Sequence, residues 1–251
     1  MDAQKPVSGY LLDLDGTLVS GRTVLPDARW LLEAAGERFM LVSNNSEHTP
    51  RQLSRLLGHL GLDIPAERMV LAGTTALEII AEERPGCRLQ LIGSDSLRRY
   101  ARQLGLQIDH AETEVVLVAR DRRFSYARLA SAARALSHGA ELYVACPDHS
   151  HPGSDGQPVP EAGALAAAVI AASGVRRYRT IGKPEPAVFE IACRRLGIAA
   201  RTAIMIGDSP CTDGEGAARL GMRYLRAGTD DLRRLLPQFG AAASVGSGDM
   251  A

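Results

Sequence analysis

The sequence predicts an α/β protein built on a mainly parallel sheet, with a second, smaller α/β unit inserted into it. Three features carry this expectation. Short apolar runs alternate with segments whose apolar residues recur at helical spacing. The 251 residues suffice for one large domain or two smaller ones. Polar motifs end the apolar runs on both sides of a long middle stretch.

In chain order, "YLLDLD" (10–15) and "RFMLVSN" (38–44) read as strands. A helix follows: Thr49 caps it, Pro50 takes its first position, Leu53, Leu56, Leu57 and Leu60 make one apolar face, and Gly61 stops it. Between about 70 and 177, "RLQLIGS", "EVVLVAR" and "LYVACP" read as strands, with helices over 74–84, 96–105, 125–138 and 163–173. This set is long enough to fold on its own. "YRTIG" (178–182) is expected to return to the first unit. Pro186 then opens a helix whose Val188, Phe189, Ala192 and Leu196 point one way before Gly197. "TAIMIGD" (202–208) and "MRYLRAG" (222–228) are the remaining strands, and the tail "GAAASVGSGDMA" is expected to fray. The expected domains are a Rossmann-like core of residues 1–69 and 178–251, and an inserted α/β unit of residues 70–177.

Composition narrows the partners. With 29 basic and 29 acidic residues the formal charge is zero, which gives no electrostatic reason to expect nucleic acid or an anionic membrane. "MDAQKPVSGY" lacks the features of a secretory signal and no apolar run is long enough to span a bilayer, so a cytoplasmic location is expected. Cys87, Cys146, Cys193 and Cys211 form no CxxC pair and are expected as reduced thiols. The stretches "ARLASAARAL" and "ALAAAVIAA" read as core or as the surface of a homodimer.

Four motifs sit at strand ends: "DLDGT" (13–17), "SNN" (43–45), "GKP" (182–184) and "GDSPCTD" (207–213). In an open parallel sheet such ends share one crevice. That would gather Asp13, Asp15, Asp208, Asp213, Lys183 and Ser43. Crowded carboxylates are unfavourable unless a cation compensates, and hard oxygen donors in this number suit Mg²⁺. Gly16 and Thr17 are expected to turn the chain so that backbone N–H groups face an anion.

In these motifs and their order the chain resembles the haloacid dehalogenase superfamily of phosphohydrolases over nearly its whole length. The resemblance implies that Asp13 is the nucleophile that takes up a phosphoryl group and that Asp15 is the general acid and base, its main-chain carbonyl also binding Mg²⁺. It implies that Ser43 and Lys183, with Gly16, Thr17 and Asn44, hold the phosphate. Asp208 would be a further direct metal ligand, and Asp213 would hold metal-bound water. A carboxylate nucleophile divides hydrolysis into two displacements, and positioned cations offset the charge on the transferring oxygens.

The insertion between "SNN" and "GKP" resembles that of the subclass with a large α/β cap, which includes p-nitrophenyl, pyridoxal, phosphoglycolate and nucleotide or sugar phosphatases. "VVLVARDRRFSYARL" (115–129) and "IGSDSLRRYARQLG" match cap segments of that subclass. The expected reaction is Mg²⁺-dependent hydrolysis of a small phosphorylated metabolite. A dehalogenase, phosphonatase or phosphomutase on the same fold is one alternative, and a phosphate-binding protein without turnover is another. The cap is expected to select the leaving group through the loop "CPDHSHPGSDGQPVPEAGA" (146–164), with Cys146, Asp148, His149 and His151 as candidate contacts. The subclass commonly has asparagine where this chain has Cys146, and glycine where it has Glu161. The two histidines at i and i+2 lack a convincing metal-ligand set and read as a polar substrate loop or a solvated one. Arg120, Arg122 and Arg123 read either as steering an anion or as a solvated face.

Overall fold

A computed structural model describes residues 7–108, 112–153, 156–230 and 232–235. The tail expected to fray lies outside them. The chain opens with β1 (Gly9–Leu12), a short ribbon of β2 (Val19–Ser20) and β3 (Thr23–Val24), then α1 (Ala28–Ala35) and β4 (Phe39–Ser43). It continues through α2 (Pro50–His59), β5 (Met69–Leu71), α3 (Ala72–Glu83), β6 (Arg88–Ile92), α4 (Asp95–Gln103), β7 (Gln107–Ile108) and β8 (Val115–Val118). Next come α5 (Tyr126–Ser137), β9 (Glu141–Val144), the ribbon of β10 (Ser150–Pro152) and β11 (Pro158–Pro160), α6 (Ala162–Ser173) and β12 (Arg179–Thr180). The chain closes with α7 (Pro186–Leu196), β13 (Ala203–Gly207), α8 (Glu215–Arg219), β14 (Arg223–Arg226) and α9 (Leu232–Leu235).

Two five-stranded parallel sheets result. The first has the order β14-β13-β1-β4-β5 and the second β12-β9-β8-β6-β7. Parallel strands need crossovers, and the helices that supply them cover both faces, so the strands read as continuous apolar runs. Side-chain alternation then divides each strand between two cores. Tyr10, Leu12, Phe39 and Leu41 pack with Leu31, Leu53 and Leu57, whereas Leu11, Met40 and Val42 pack with Val188 and Phe189. In the second sheet Leu89, Val115 and Leu117 face Leu77 and Leu97, while Val116 and Val118 face Ala132 and Val169.

Three expectations are corrected. The strand within 178–182 pairs with β9 and belongs to the second sheet, Arg179 lying opposite Tyr143. Met69–Leu71, not singled out in the sequence, is the edge strand of the first sheet, masked by the apolar helix that follows it directly. Leu56 is 45% exposed, because the buried stripe of α2 runs through Leu53 and Leu57 and leaves Leu56 at its margin.

Candidate active site

In the first sheet the chain runs outward from β1 to β4 and β5 on one side, and fills β13 and β14 on the other. The carboxyl ends of β1 and β13 therefore flank the point where strand order reverses, where open α/β sheets form their ligand crevice. Asp13 leaves β1 with its N–H still donating to Ile206 O at 2.9 Å, so the ladder fixes its backbone. Asp208 leaves β13, and Ser43 ends β4.

Lys183 enters this crevice from the segment after β12, and its ammonium donates to Asp13 Oδ1 at 2.5 Å and to Asp213 Oδ1 at 2.6 Å. All three side chains are buried. An isolated buried charge is costly, so the lysine and the two carboxylates stabilise one another's ionised forms. Burial alone would lower the Lys183 pKa, but Asp13 and Asp213 overcome it and hold the group above its ordinary range. Asp13 is raised, first by burial and then by the Asp213 and Asp15 charges, against the pull of Lys183. Asp208 is likewise raised by burial and by Asp213. Thr17 Oγ1 donates to Asp13 Oδ2 at 3.2 Å, and the Ser209 N–H donates to Asp213 Oδ2 at 3.2 Å.

Two glycines make this packing feasible. Gly16 has φ +82° and a Cβ there would lie 2.1 Å from Asp208 Oδ2, while a Cβ on Gly207 would lie 2.1 Å from Asp213 Oδ2. The backbone N–H groups of Gly16 and Thr17, expected to face an anion, instead donate to Val19 O at 2.7 Å and Leu14 O at 3.3 Å. They close the turn, and Thr17 contributes to the crevice through its hydroxyl.

Of the four carboxylates expected around a metal, Asp13, Asp208 and Asp213 offer oxygens within 4.8 Å of one another. This group fits a hard divalent cation: three oxygen donors face a single ammonium, and the residual negative charge is part of what raises Asp13 and Asp208. The Asp15 side chain stands outside the group with exposed surface. Its pKa is raised by desolvation and by Asp148, with His151, Lys183 and Arg120 pulling the other way.

The residues after β4 tie the crevice to the second sheet. Ser43 Oγ is buried and accepts from the Asn45 N–H at 3.1 Å. Asn44 Nδ2 donates to Lys183 O and to Asp148 Oδ2, both at 3.0 Å, so one amide links three segments. Of the expected contacts in the 146–164 loop, Asp148 is therefore brought to the site. Cys146 is not: it is fully buried with Ala72 and Ala162, which leaves it no surface for a substrate. His149 is exposed, and His151 Nδ1 lies 2.7 Å from Glu161 Oε1. Among the described residues no metal-ligating cluster includes either histidine.

Arg120 was not expected as part of a buried network. It is 13% exposed and pairs at 3.2 Å with both Glu47 and Glu161, whereas Arg122 and Arg123 are solvated and paired with Glu47 and Asp95. The one sequence signal for this network was Glu161 standing where glycine is commoner.

Comparison with known proteins gives consistent results. A family model described as haloacid dehalogenase-like hydrolase matches residues 10–107, and a HAD-hydrolase-like model matches residues 180–234. A dihydroxyacetone phosphatase of Corynebacterium glutamicum is 30% identical over 227 residues, 88% of this chain and 82% of that protein. A 4-nitrophenylphosphatase from Thermotoga maritima superposes with a TM-score of 0.82 at 29% identity, covering 91% of this chain and 90% of that one. A glycerol phosphate phosphatase from Mycobacterium tuberculosis, in complex with magnesium, superposes with a TM-score of 0.81 at 29% identity, covering 88% of this chain and 68% of that one.

Proposed function

The chain belongs to the haloacid dehalogenase-like hydrolases, and we propose that it hydrolyses small phosphomonoesters through a phosphorylated Asp13. The observation that carries this reading is Lys183 held between Asp13 and Asp213, beside Asp208, at the reversal point of the first sheet. Such a crevice offers a nucleophilic carboxylate next to fixed positive charge, which phosphoryl transfer needs.

Mg²⁺ would be held by Asp13, Asp208 and Asp213, with the main-chain carbonyl of Asp15, and when bound it supplies positive charge that polarises the phosphoryl oxygens. Lys183, Ser43 and Asn44 orient the phosphate. An Asp13 oxygen attacks phosphorus as the bond to the leaving oxygen breaks, and Asp15 delivers its proton to that oxygen. In the second displacement Asp15 takes a proton from water, whose oxygen attacks the phosphoaspartyl phosphorus and regenerates the Asp13 carboxylate. Both duties of Asp15 are served by a carboxyl pKa above its ordinary value.

In this reading the first sheet, from β1 through β5 and again from Lys183 onward, carries the catalytic core, and the second sheet, from β6 to β12 with its helices, forms the cap. The 146–164 loop selects the leaving group. A relative named for dihydroxyacetone phosphate and solved neighbours named for nitrophenyl and glycerol phosphates support a small substrate, and the magnesium complex of one neighbour supports the metal. The test is phosphate release from a panel of phosphorylated metabolites and p-nitrophenyl phosphate, with Mg²⁺ and with chelator. Metal-dependent multiple turnover is expected. Phosphate binding that raises the melting temperature without turnover would contradict the proposal.

A further inference from the structure

A second charged network lies over the Asp15 side of the crevice. Arg120 Nη1 is 3.2 Å from Glu47 Oε2 and 3.2 Å from Glu161 Oε1, and His151 Nδ1 is 2.7 Å from the same Glu161 oxygen. Arg120 and Glu161 are each 13% exposed and Glu47 is 16% exposed. Three charges sequestered this far from water weaken a fold unless each is held, and here the match is incomplete. Arg120 Nε is buried without a hydrogen-bond partner.

The backbone holds Glu161 rigidly. Its N–H donates to His149 O at 2.9 Å, it follows the β10–β11 ribbon, and it occupies the N-cap of α6 without using its side chain to cap the helix. Asp, Asn, Ser and Thr are the residues that cap from this position. Glu161 instead reaches to Arg120 and His151. Arg120 is fixed in the same manner, its N–H donating to Ser46 Oγ at 3.0 Å. Both side chains engage Glu161 at Oε1.

The network adjoins the crevice: the Gly163 N–H, two residues after Glu161, donates to Asp148 O at 2.8 Å, Asp148 accepts from Asn44, and the Ser46 that holds Arg120 lies three residues after Ser43. Two carboxylates share Arg120, so it has little positive charge to offer a second anion. His151 is lowered by burial and by Arg120 and Arg122, with Asp15 and Glu47 opposing.

We propose that Glu161, positioned by Arg120, selects the leaving group: its carboxylate accepts a hydrogen bond from a hydroxyl of a small uncharged polyol, and its charge disfavours leaving groups that carry a carboxylate. This rests on the phosphomonoester hydrolase reading above. A site built to receive a hydroxyl discriminates strongly, because a substrate lacking it leaves the buried acceptor unpaired.

The test compares kcat/KM of the wild type and Glu161→Gln on glycerol 3-phosphate, 2-phosphoglycolate and p-nitrophenyl phosphate, with Mg²⁺ present and at a pH about 1.5 units above the Glu161 value of about 7, where its carboxylate is ionised. The ratio of glycerol 3-phosphate to 2-phosphoglycolate is expected to fall by about tenfold or more in the variant, chiefly through KM, the scale of one hydrogen bond to a charged group. A ratio unchanged in the variant, or an equal fall on all three substrates, would overturn the assignment. If Glu161→Gln does not fold, Glu161→Asp serves. With the charge kept and the reach shortened, glycerol 3-phosphate should lose rate while 2-phosphoglycolate stays disfavoured, and an equal effect on both overturns the proposal. A wild type silent on all three substrates overturns the hydrolase reading itself, and this inference with it, before any variant is compared.

Discussion

Lys183 Nζ lies 2.5 Å from Asp13 Oδ1, joining two residues 170 positions apart in sequence. The lysine arrives from the segment leaving the second sheet and the aspartate from the central strand of the first. The contact therefore couples the position of the inserted region to the charge state of the crevice.

Replacing Lys183 with Gln leaves Asp13 and Asp213 buried against each other without their shared cation. Removing one member of a buried pair typically costs about 3–5 kcal/mol. The variant is expected to melt well below the wild type and to lose at least about a hundredfold in turnover, the scale on which one electrostatic stabiliser acts. Added Mg²⁺ should raise its melting temperature more than that of the wild type. Thermal melts with and without the ion check this, and an unshifted melting temperature would contradict it.

Gly16→Ala places a methyl group 2.1 Å from Asp208 Oδ2, at a backbone φ of +82°. The left-handed conformation alone costs an L-residue about 1–2 kcal/mol. Displacement of the Asp208 carboxylate should add a loss of activity larger than the loss of stability accounts for. Turnover measured well below the melting temperature separates the two effects.

Among the four cysteines, Cys211 is exposed and Cys87, Cys146 and Cys193 are buried. Burial, with help from Glu190, pushes the Cys193 thiol up to about 11, and burial likewise raises Cys87 and Cys146. Since the thiolate is the reactive species, Ellman's reagent at pH 8 should titrate one thiol in the native protein and four in denaturant. Rapid reaction of more than one native thiol would show that the cores open readily.

Glu161 is pushed up to about 7, first by burial and then by Asp148, Asp15 and Glu47, with Arg120 opposing. An acid raised on folding binds protons more tightly in the folded state. Its contribution is therefore most favourable at low pH and declines as pH rises from its unfolded pKa of about 4.3 through about 7. Relative to the wild type, Glu161→Gln should flatten the fall in stability across that window. Denaturant melts at pH 5 and pH 7.5 measure the difference, and parallel pH profiles would contradict it.

Much of the site was legible because each of its residues ends an apolar run. Asp13 follows "YLL", Ser43 closes "FMLVS" and Asp208 follows "AIMIG", so parallel-strand logic alone brings them to one crevice. Lys183 was legible by its motif, but the strand before it was placed in the wrong sheet. Two residues, Arg179 and Thr180, carry no apolar signature of the sheet they join. The Arg120–Glu161 pair was invisible for a different reason. Its members lie on separate elements of the inserted region, and a charge looks solvated in sequence unless tertiary packing encloses it. Glu161 is marked in sequence only by standing where glycine is commoner, and the fold shows its side chain turned to Arg120.

The central claim is that Asp13 carries the phosphoryl group. Its most direct test is an acid-quenched single turnover with a ³²P-labelled phosphomonoester that the wild type hydrolyses, in the presence of Mg²⁺, run on the wild type and on Asp13→Asn. Transient label on the peptide containing Asp13, absent from a folded Asp13→Asn protein that no longer turns over, is the expected result. An Asp13→Asn protein that keeps near-normal turnover would contradict the account.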